Sequence, residues 1–368
     1  MAAGSSDTVF QLLLISLDAM IGKDIEILKT LPTFAPILEK ASIVKSVETV
    51  YPSMTYTAHA SIVSGTYPEK HGVITNEVFT PLMNKAPWYE LRTQNKAQIL
   101  PELAQENGYS AFINSWPTLV GANVDYLVQR AGIHYPKEEQ ESEIRKNSNA
   151  VLTQEMWDYC AEAWTLPNYY STDKFSALAS KYVINHYQPD VMLMHMTLPD
   201  HYRHSYGVLS EKLVDAYKYL DDMLAIVVNE LKAQGLYEQT TFVFCSDHGQ
   251  VDIDMSVNAN KLLIENGLLT VDEEGNMTDW EAYIQSSAVS AHVYLKDPTN
   301  EALAEKWFEI AVEIEGAVYR GFVQESPVYL MEAVEEAPIT PTPLPTPTPT
   351  ATPIPRRISK TATTILLR

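Results

Sequence analysis

The sequence predicts an α/β fold with a mostly parallel sheet and helices on both faces, and three observations carry that expectation. Short apolar runs rich in Val, Ile, Leu and Phe alternate with helix-length amphipathic stretches, the pattern of buried parallel strands joined by crossover helices. Three of those runs lead into an aspartate, Asp18, Asp200 or Asp247, and the carboxyl ends of parallel strands are where ligands gather. The chain has 368 residues, 46% of them hydrophobic, which is ordinary for a globular protein and excludes wholesale disorder and fibrous architectures.

The strands expected are residues 9–17, 42–45, 110–114, 190–196, 241–246 and 292–295, each a short apolar run. Residues 174–187 and 211–234 have helical periodicity, the second closing on Gly235 as a helix C-terminus does. Residues 118–172 break the rhythm with the charged run 137–146 and the aromatics Trp157, Tyr159, Trp164, Tyr169 and Tyr170. They are expected to form a lid inserted over the sheet, the charge run being a solvated helix face. One catalytic domain is expected over residues 1–337. From Pro338 onward the segment PITPTPLPTPTPTATPIP holds eight of the chain's 22 prolines, so residues 338–368 read as a disordered Pro/Thr-rich tail.

Composition narrows the function. A formal charge of −21, from 26 Lys and Arg against 47 Asp and Glu, repels phosphate backbones over long range and argues against duplex nucleic acid as a partner. A small anionic substrate would need local positive charge, which bound metal supplies through carboxylates and histidines. Cys160 and Cys245 are too few for a disulfide framework. The N-terminal run has no basic region before it and no small-residue cleavage site, so no signal peptide is expected and the default location is cytoplasmic. No stretch approaches the roughly 20 apolar residues of a membrane span. The sequence assigns no oligomeric state.

Four segments carry chemistry. Asp18, Asp200 and Asp247 follow strands and should converge, although an aspartate in that position also serves as a helix N-cap. In PDHYRHSYG, Asp200 and His204 are four residues apart and share one helix face, fit for a shared cation or for a plain surface ion pair, with His201 pointing elsewhere. Asp247 and His248 are neighbours before Gly249, which lets the backbone bend so that both reach one metal. In YPSMTYTAHASIVSGTYPEKHG, Thr55 falls at a helix N-terminus, where amides and the macrodipole favour an anion or alkoxide; Thr55 or Thr57 capping the helix is the other reading. His59 is expected to be packed.

Together, Asp18 after a strand, PSMTYTAH with SGTYPEKHGV, DHYRHSYG and SDHG resemble the motif set of the alkaline phosphatase superfamily, most closely its nucleotide pyrophosphatase/phosphodiesterase branch. The resemblance runs in order from about residue 9 to His248. It implies an alkaline-phosphatase-like core and two divalent metals, most simply Zn²⁺. Asp18, Thr55, Asp247 and His248 would surround one, and Asp200 and His204 would hold the other. Thr55 would be the nucleophile, forming a phospho- or nucleotidyl-threonine in the hydrolysis of a small phosphodiester, pyrophosphate or nucleotide substrate. Asn76 would help hold a phosphoryl oxygen. Tyr56 matches an aromatic that stacks on a nucleobase, unless it is simply packed, and Trp116 with Pro117 fits a structural pattern.

The sequence departs from that family in one place. A further histidine near the carboxyl end completes the second metal site in the family, whereas here the Pro/Thr tail comes first and only His292 follows His248. His292 sits inside an expected strand and is a poor substitute. The alternatives are therefore an impaired metal- or nucleotide-binding remnant, or another hydrolase of the superfamily such as a phosphomonoesterase or phosphonate hydrolase. No arginine is placed by the sequence to clamp a monoester's extra charge, although Arg130 or Arg203 could do so in the fold.

Overall fold

The three aspartate-tipped runs are adjacent strands. In the computed structural model, which describes residues 11–44, 46–83, 86–130, 137–166, 168–253, 258–288, 290–311, 317–322, 329–333 and 365–367, the parallel strands are β1 (Gln11–Leu17), β3 (Ala111–Asn114), β4 (Tyr126–Val128), β5 (Val191–Met196) and β6 (Thr240–Cys245). Their order is β6-β1-β5-β3-β4, and past the first of these the sheet continues to β13 (Ile365–Leu367) and β2 (Ala41–Ile43). Register places Leu17 beside Met196 and Ser16 beside Cys245. The segments leaving β1, β5 and β6 therefore emerge side by side.

Alternation along each strand feeds two cores, which is why the runs are apolar throughout. Leu13, Ile15 and Leu17 of β1 join one cluster with Met192, Met194 and Met196 of β5, packed under the helices Asn168–Tyr187 and Leu213–Ala233. Leu14 joins the other, with Val191, Leu193, Val63, Ile99 and Ala104 beneath the helices Thr55–Ser64 and Leu100–Glu106. Each fully buried Leu or Ile contributes roughly 1.5–3 kcal/mol relative to exposure. The helix expected at 211–234 is Leu213–Ala233, and Gly235 has the positive φ (73°) that such a helix end needs.

Two expectations are modified, and that for the charge run holds. Residues 118–172 do not simply overlie the sheet: they contribute β4, because the run Tyr126–Val128 pairs with β3. The charge run is the helix Lys137–Asn147, with Ile144 buried and Glu139, Glu141, Ser142 and Lys146 exposed, as a solvated face requires. Ile365–Leu367, assigned by composition to the tail, pairs antiparallel with β2 and β6. Residues 338–364 lie outside the described residues.

The described residues divide into two units, those within 1–76, 89–252 and 358–368 forming one and those within 77–88 and 253–357 the other. The second unit contains the hairpin β7 (Leu269–Val271) with β8 (Met277–Trp280), and a second sheet built from β9 (Ala282–Ser287), β10 (Ser290–Leu295), β11 (Ala317–Phe322) and β12 (Tyr329–Ala333) in the order β11-β12-β10-β9. The expected strand at 292–295 is thus part of an antiparallel sheet, a direction that apolar content alone does not specify. Among the described residues no helix is long and apolar enough to cross a membrane.

Arg203 is committed to the fold of the first unit. It is buried, its Nε donates to the Ala19 carbonyl at 3.0 Å, and its guanidinium pairs with Asp24 and with the Val208 carbonyl. Of the two arginines that could meet a monoester's extra charge, Arg203 is thus taken up by the fold: a guanidinium held on three sides has a structural task. Arg203→Leu would leave Asp24 buried without its counter-charge and should lower the unfolding free energy by about 3–5 kcal/mol. Denaturant titration checks this, and a loss below about 1 kcal/mol would contradict it.

Candidate metal centre

The turn after β1 shows how local structure sets the centre. Asp18 N–H donates to the Met196 carbonyl at 2.9 Å, tying it to β5. Ala19 then takes a positive φ of 57°, a conformation that costs an alanine on the order of 1 kcal/mol and that accompanies an N–H donated to Asp247 Oδ1 at 3.1 Å. Asp247 Oδ1 also accepts the His248 N–H at 2.9 Å. One oxygen of Asp247 is thus satisfied by backbone, while Oδ2 is buried without a hydrogen bond. Asp18 is divided in the same way: Oδ2 faces His195 Nε2 at 3.1 Å and Oδ1 is buried without a partner.

His248 Nε2 is the hub between these free oxygens. It lies 3.5 Å from Asp18 Oδ1, 3.4 Å from Asp247 Oδ2 and 3.1 Å from Thr55 Oγ1. Its other nitrogen, Nδ1, is 3.0 Å from the Gly249 carbonyl, which turns the ring inward. Thr55 begins its helix, but the N-cap is Met54 and no side chain caps the first turn. The capping reading of Thr55 therefore gives way: its hydroxyl faces His248.

Asp200 comes from the helix Leu198–Tyr206, whose start is held by the buried Asp173 accepting from Thr197 N–H at 2.9 Å and Leu198 N–H at 3.1 Å. Ligand atoms of Asp18, Asp200 and His248 all lie within 4.8 Å of one another. As the i, i+4 spacing requires, His204 Nε2 approaches Asp200 Oδ1, at 3.4 Å, with the imidazole largely exposed. The neighbouring Gln250 amide hydrogen-bonds the same oxygen, a contact that residue spacing did not reveal. His201 stacks on Tyr169 with ring centroids 3.7 Å apart and does point elsewhere.

Electrostatics follows from this crowding. Burial, with the charge of Asp200, pushes Asp18 up to about 7, and burial with Asp18 raises Asp247. Burial opposes a charge on His248, but Asp247, Asp18 and Asp200 outweigh it and lift the imidazole to about 9. Hydrogen bonding to Asp200 raises His204. Carboxylates that resist ionisation beside an imidazole that resists neutrality are a donor set short of positive charge. Unpaired oxygens on Asp18 and Asp247, the His248 nitrogen and the Thr55 hydroxyl suit one divalent cation, which would take the place of the His248 proton. Asp200 and His204 offer a second pair of donors.

The remaining expected residues are placed as follows. Asn76 Oδ1 accepts the Tyr56 N–H at 3.0 Å, one residue from Thr55. Tyr56 is 4% exposed. It lines a small cavity of about 20 Å³ with Glu90, Trp116, Gln129 and Arg130, and its ring is buried. Arg130, not Arg203, projects positive charge toward Asp18 and Tyr56. His59 is fully buried against Trp116, as expected of a packed residue, yet its Nδ1 is 2.7 Å from the Thr55 carbonyl and 3.5 Å from Asp247 Oδ2. His292 lies in β10 opposite Gln285 and Leu330, buried, with neither ring nitrogen hydrogen-bonded among the described residues.

Comparison with known proteins bears on this arrangement. The family model of type I phosphodiesterase / nucleotide pyrophosphatase matches residues 12–335, and the chain belongs to that family, within the alkaline phosphatase superfamily. Similar curated proteins include ectonucleotide pyrophosphatase/phosphodiesterase family member 1 of Rattus norvegicus, 27% identical over 248 residues covering 64% of this chain and 24% of the relative. Venom phosphodiesterase 2 of Crotalus adamanteus is 25% identical, covering 57% of this chain and 23% of the relative. The chain thus spans about a quarter of the length of these relatives. Among solved structures, phosphonoacetate hydrolase of Sinorhizobium meliloti with bound phosphonoacetate has a TM-score of 0.62 at 17% identity, covering 89% of this chain and 81% of that one. An inactive variant of murine ectonucleotide pyrophosphatase / phosphodiesterase 5 in complex with AMP has a TM-score of 0.58 at 15% identity, covering 88% and 78%. These likenesses establish the alkaline-phosphatase-like fold.

The shifted groups give a pH dependence with a definite sign. His248, raised from 6.5 to about 9, stabilises the metal-free chain fully below pH 6.5 and loses that contribution as pH rises toward 9. Asp18, raised from 3.8 to about 7, binds a proton more tightly folded than unfolded, so it too removes stability as pH rises from about 4 to 7. The unfolding midpoint of the chelator-treated chain should fall between about pH 6 and 9, and saturating Zn²⁺ should flatten the slope. A midpoint that rises over that range without metal would contradict the arrangement.

Proposed function

We propose that the chain is a metal-dependent hydrolase of phosphodiester or pyrophosphate bonds in nucleotide-like substrates, with Thr55 as nucleophile. The observation that carries the reading is the Thr55 hydroxyl, at the head of its helix, 3.1 Å from His248 Nε2 among the unpaired oxygens of Asp18 and Asp247. Carboxylate and imidazole donors of this kind fit Zn²⁺. Asp18, Asp247, His248 and Thr55 would hold one ion and Asp200 with His204 a second. When bound, the ions supply Lewis acidity, favouring loss of the threonine proton and offsetting charge on the phosphoryl and leaving oxygens.

The residues then divide the work. Thr55 Oγ1 gives up its proton to solvent and attacks phosphorus in line, the bond to the leaving oxygen breaks, that oxygen departs and takes a proton from solvent, and the phosphoryl or nucleotidyl group is carried on Oγ1. Water enters from the opposite side, breaks the phosphorus bond to Oγ1 and returns the hydroxyl. Asn76, fixed through its Oδ1 by the Tyr56 N–H, directs its amide nitrogen to a phosphoryl oxygen. The helix beginning at Thr55 adds the positive end of its dipole to the developing anion. Arg130 directs positive charge toward Asp18 and Tyr56, where it would offset charge on a bound phosphodiester.

A nitrophenyl ester of a nucleoside monophosphate tests the reading. Wild-type chain should release nitrophenol, chelation should abolish release and zinc should restore it. Thr55→Ala should lower kcat by roughly 10³-fold or more with intact metal content. Retention of more than about a tenth of the rate in Thr55→Ala would rule out Thr55 as nucleophile. Phosphonoacetate and a nitrophenyl phosphate monoester run in parallel should be poorer substrates by kcat/KM; a reversed ranking would move the chain to another hydrolase class.

A further inference from the structure

We infer that His195 is a positioning residue for Asp18, selecting which carboxylate oxygen meets the cation; this rests on the metal-dependent reading above. His195 occupies the interior of β5, a strand whose other members are apolar and fully buried. A polar ring there is costly unless it has a partner. It pairs in register with Ser16, two residues before Asp18, and its Nε2 reaches Asp18 Oδ2 at 3.1 Å. An ionised carboxylate only accepts hydrogen bonds, so this contact requires the proton on Nε2 of His195. Donation to Oδ2 leaves Oδ1 as the unsatisfied oxygen, and Oδ1 is the atom 3.5 Å from His248 Nε2.

The ring is itself braced. His59 meets it edge-on with centroids 4.4 Å apart, and His59 in turn contacts the indole of Trp116 at 4.9 Å and the Thr55 carbonyl through Nδ1 at 2.7 Å. Trp116 Nε1 donates to the His59 carbonyl at 3.3 Å. Two buried imidazoles therefore connect the carboxylate of Asp18 with the backbone of Thr55. A partner that orients a ligand in this way typically changes metal affinity about 10–100-fold when removed.

The experiment uses the full chain, stripped of metal, with Zn²⁺ affinity measured by competition with a chromophoric chelator. His195→Leu should weaken zinc binding about 10–100-fold, whereas His195→Gln, whose amide nitrogen reaches the position of Nε2, should stay within about threefold of wild type. Rescue by Gln is the readout that a purely space-filling role would not produce. A folded His195→Leu chain with wild-type zinc affinity would overturn the inference, as would a folded His195→Gln chain as weak as His195→Leu. If His195→Leu does not fold, His195→Gln alone decides: retained affinity supports the donor role and lost affinity overturns it. A wild-type chain that takes up no zinc would instead fail the metal-dependent reading on which this one stands.

Discussion

Two buried carboxylates, Asp18 and Asp247, and the half-buried Asp200, brought together around one imidazole, form the constraint on which the rest depends. Asp18, Asp200 and Asp247 cannot all be ionised at close range in a site shielded from water without a compensating positive charge. His248 supplies that charge in the metal-free chain, which is why its affinity for a proton rises so far above the ordinary range for histidine. A divalent cation supplies more charge and also binds the oxygens left without hydrogen bonds. Stability and chemistry are coupled here because the groups that destabilise the fold without metal are those that would bind it.

The scaffold makes that crowding possible. β6, β1 and β5 are consecutive in the sheet, so the segments leaving their carboxyl ends lie within side-chain reach without long loops. Rigid supports then fix the turns. Ala19 in the left-handed region presents its N–H to Asp247, Arg203 clamps the Ala19 carbonyl to Asp24, and Asp173 holds the start of the helix carrying Asp200. The Ala19 N–H occupies one oxygen of Asp247 and leaves the other for the cation, while Arg203 and Asp173 hold the backbone beside the ligand residues.

Much of the centre was legible in the sequence because its residues sit where strands end, and an aspartate after a continuous apolar run is visible without coordinates. Thr55 and the Asp200–His204 pair were legible for a similar reason, since helix starts and i, i+4 spacing follow from local rules. His195 was not. A lone histidine within VMLMHM carries no spacing signal, and its importance comes from a neighbour 177 positions away. Gln250 escaped likewise, being polar, next to a motif and uninformative until its contact with Asp200 is seen. Tyr56 was left between stacking and packing because adjacency to Thr55 does not reveal which way a ring packs; its ring is buried. Strand direction at 290–295 and the pairing of Tyr126–Val128 depend on partners distant in sequence, which hydrophobic patterning does not encode.

Relief of charge repulsion by a cation is the central claim, and an exchange of stability order between wild type and Asp18→Asn tests it most directly. Unfolding free energies of both chains are measured at about pH 8, first with chelator and then with Zn²⁺ at about 100 times the wild-type Kd. Without metal, Asp18→Asn should be the more stable chain, because one buried like charge is gone. With zinc, wild type should gain about 2.7 kcal/mol and overtake it. An Asp18→Asn chain that is less stable than wild type without metal, or that gains as much from zinc, would contradict the account.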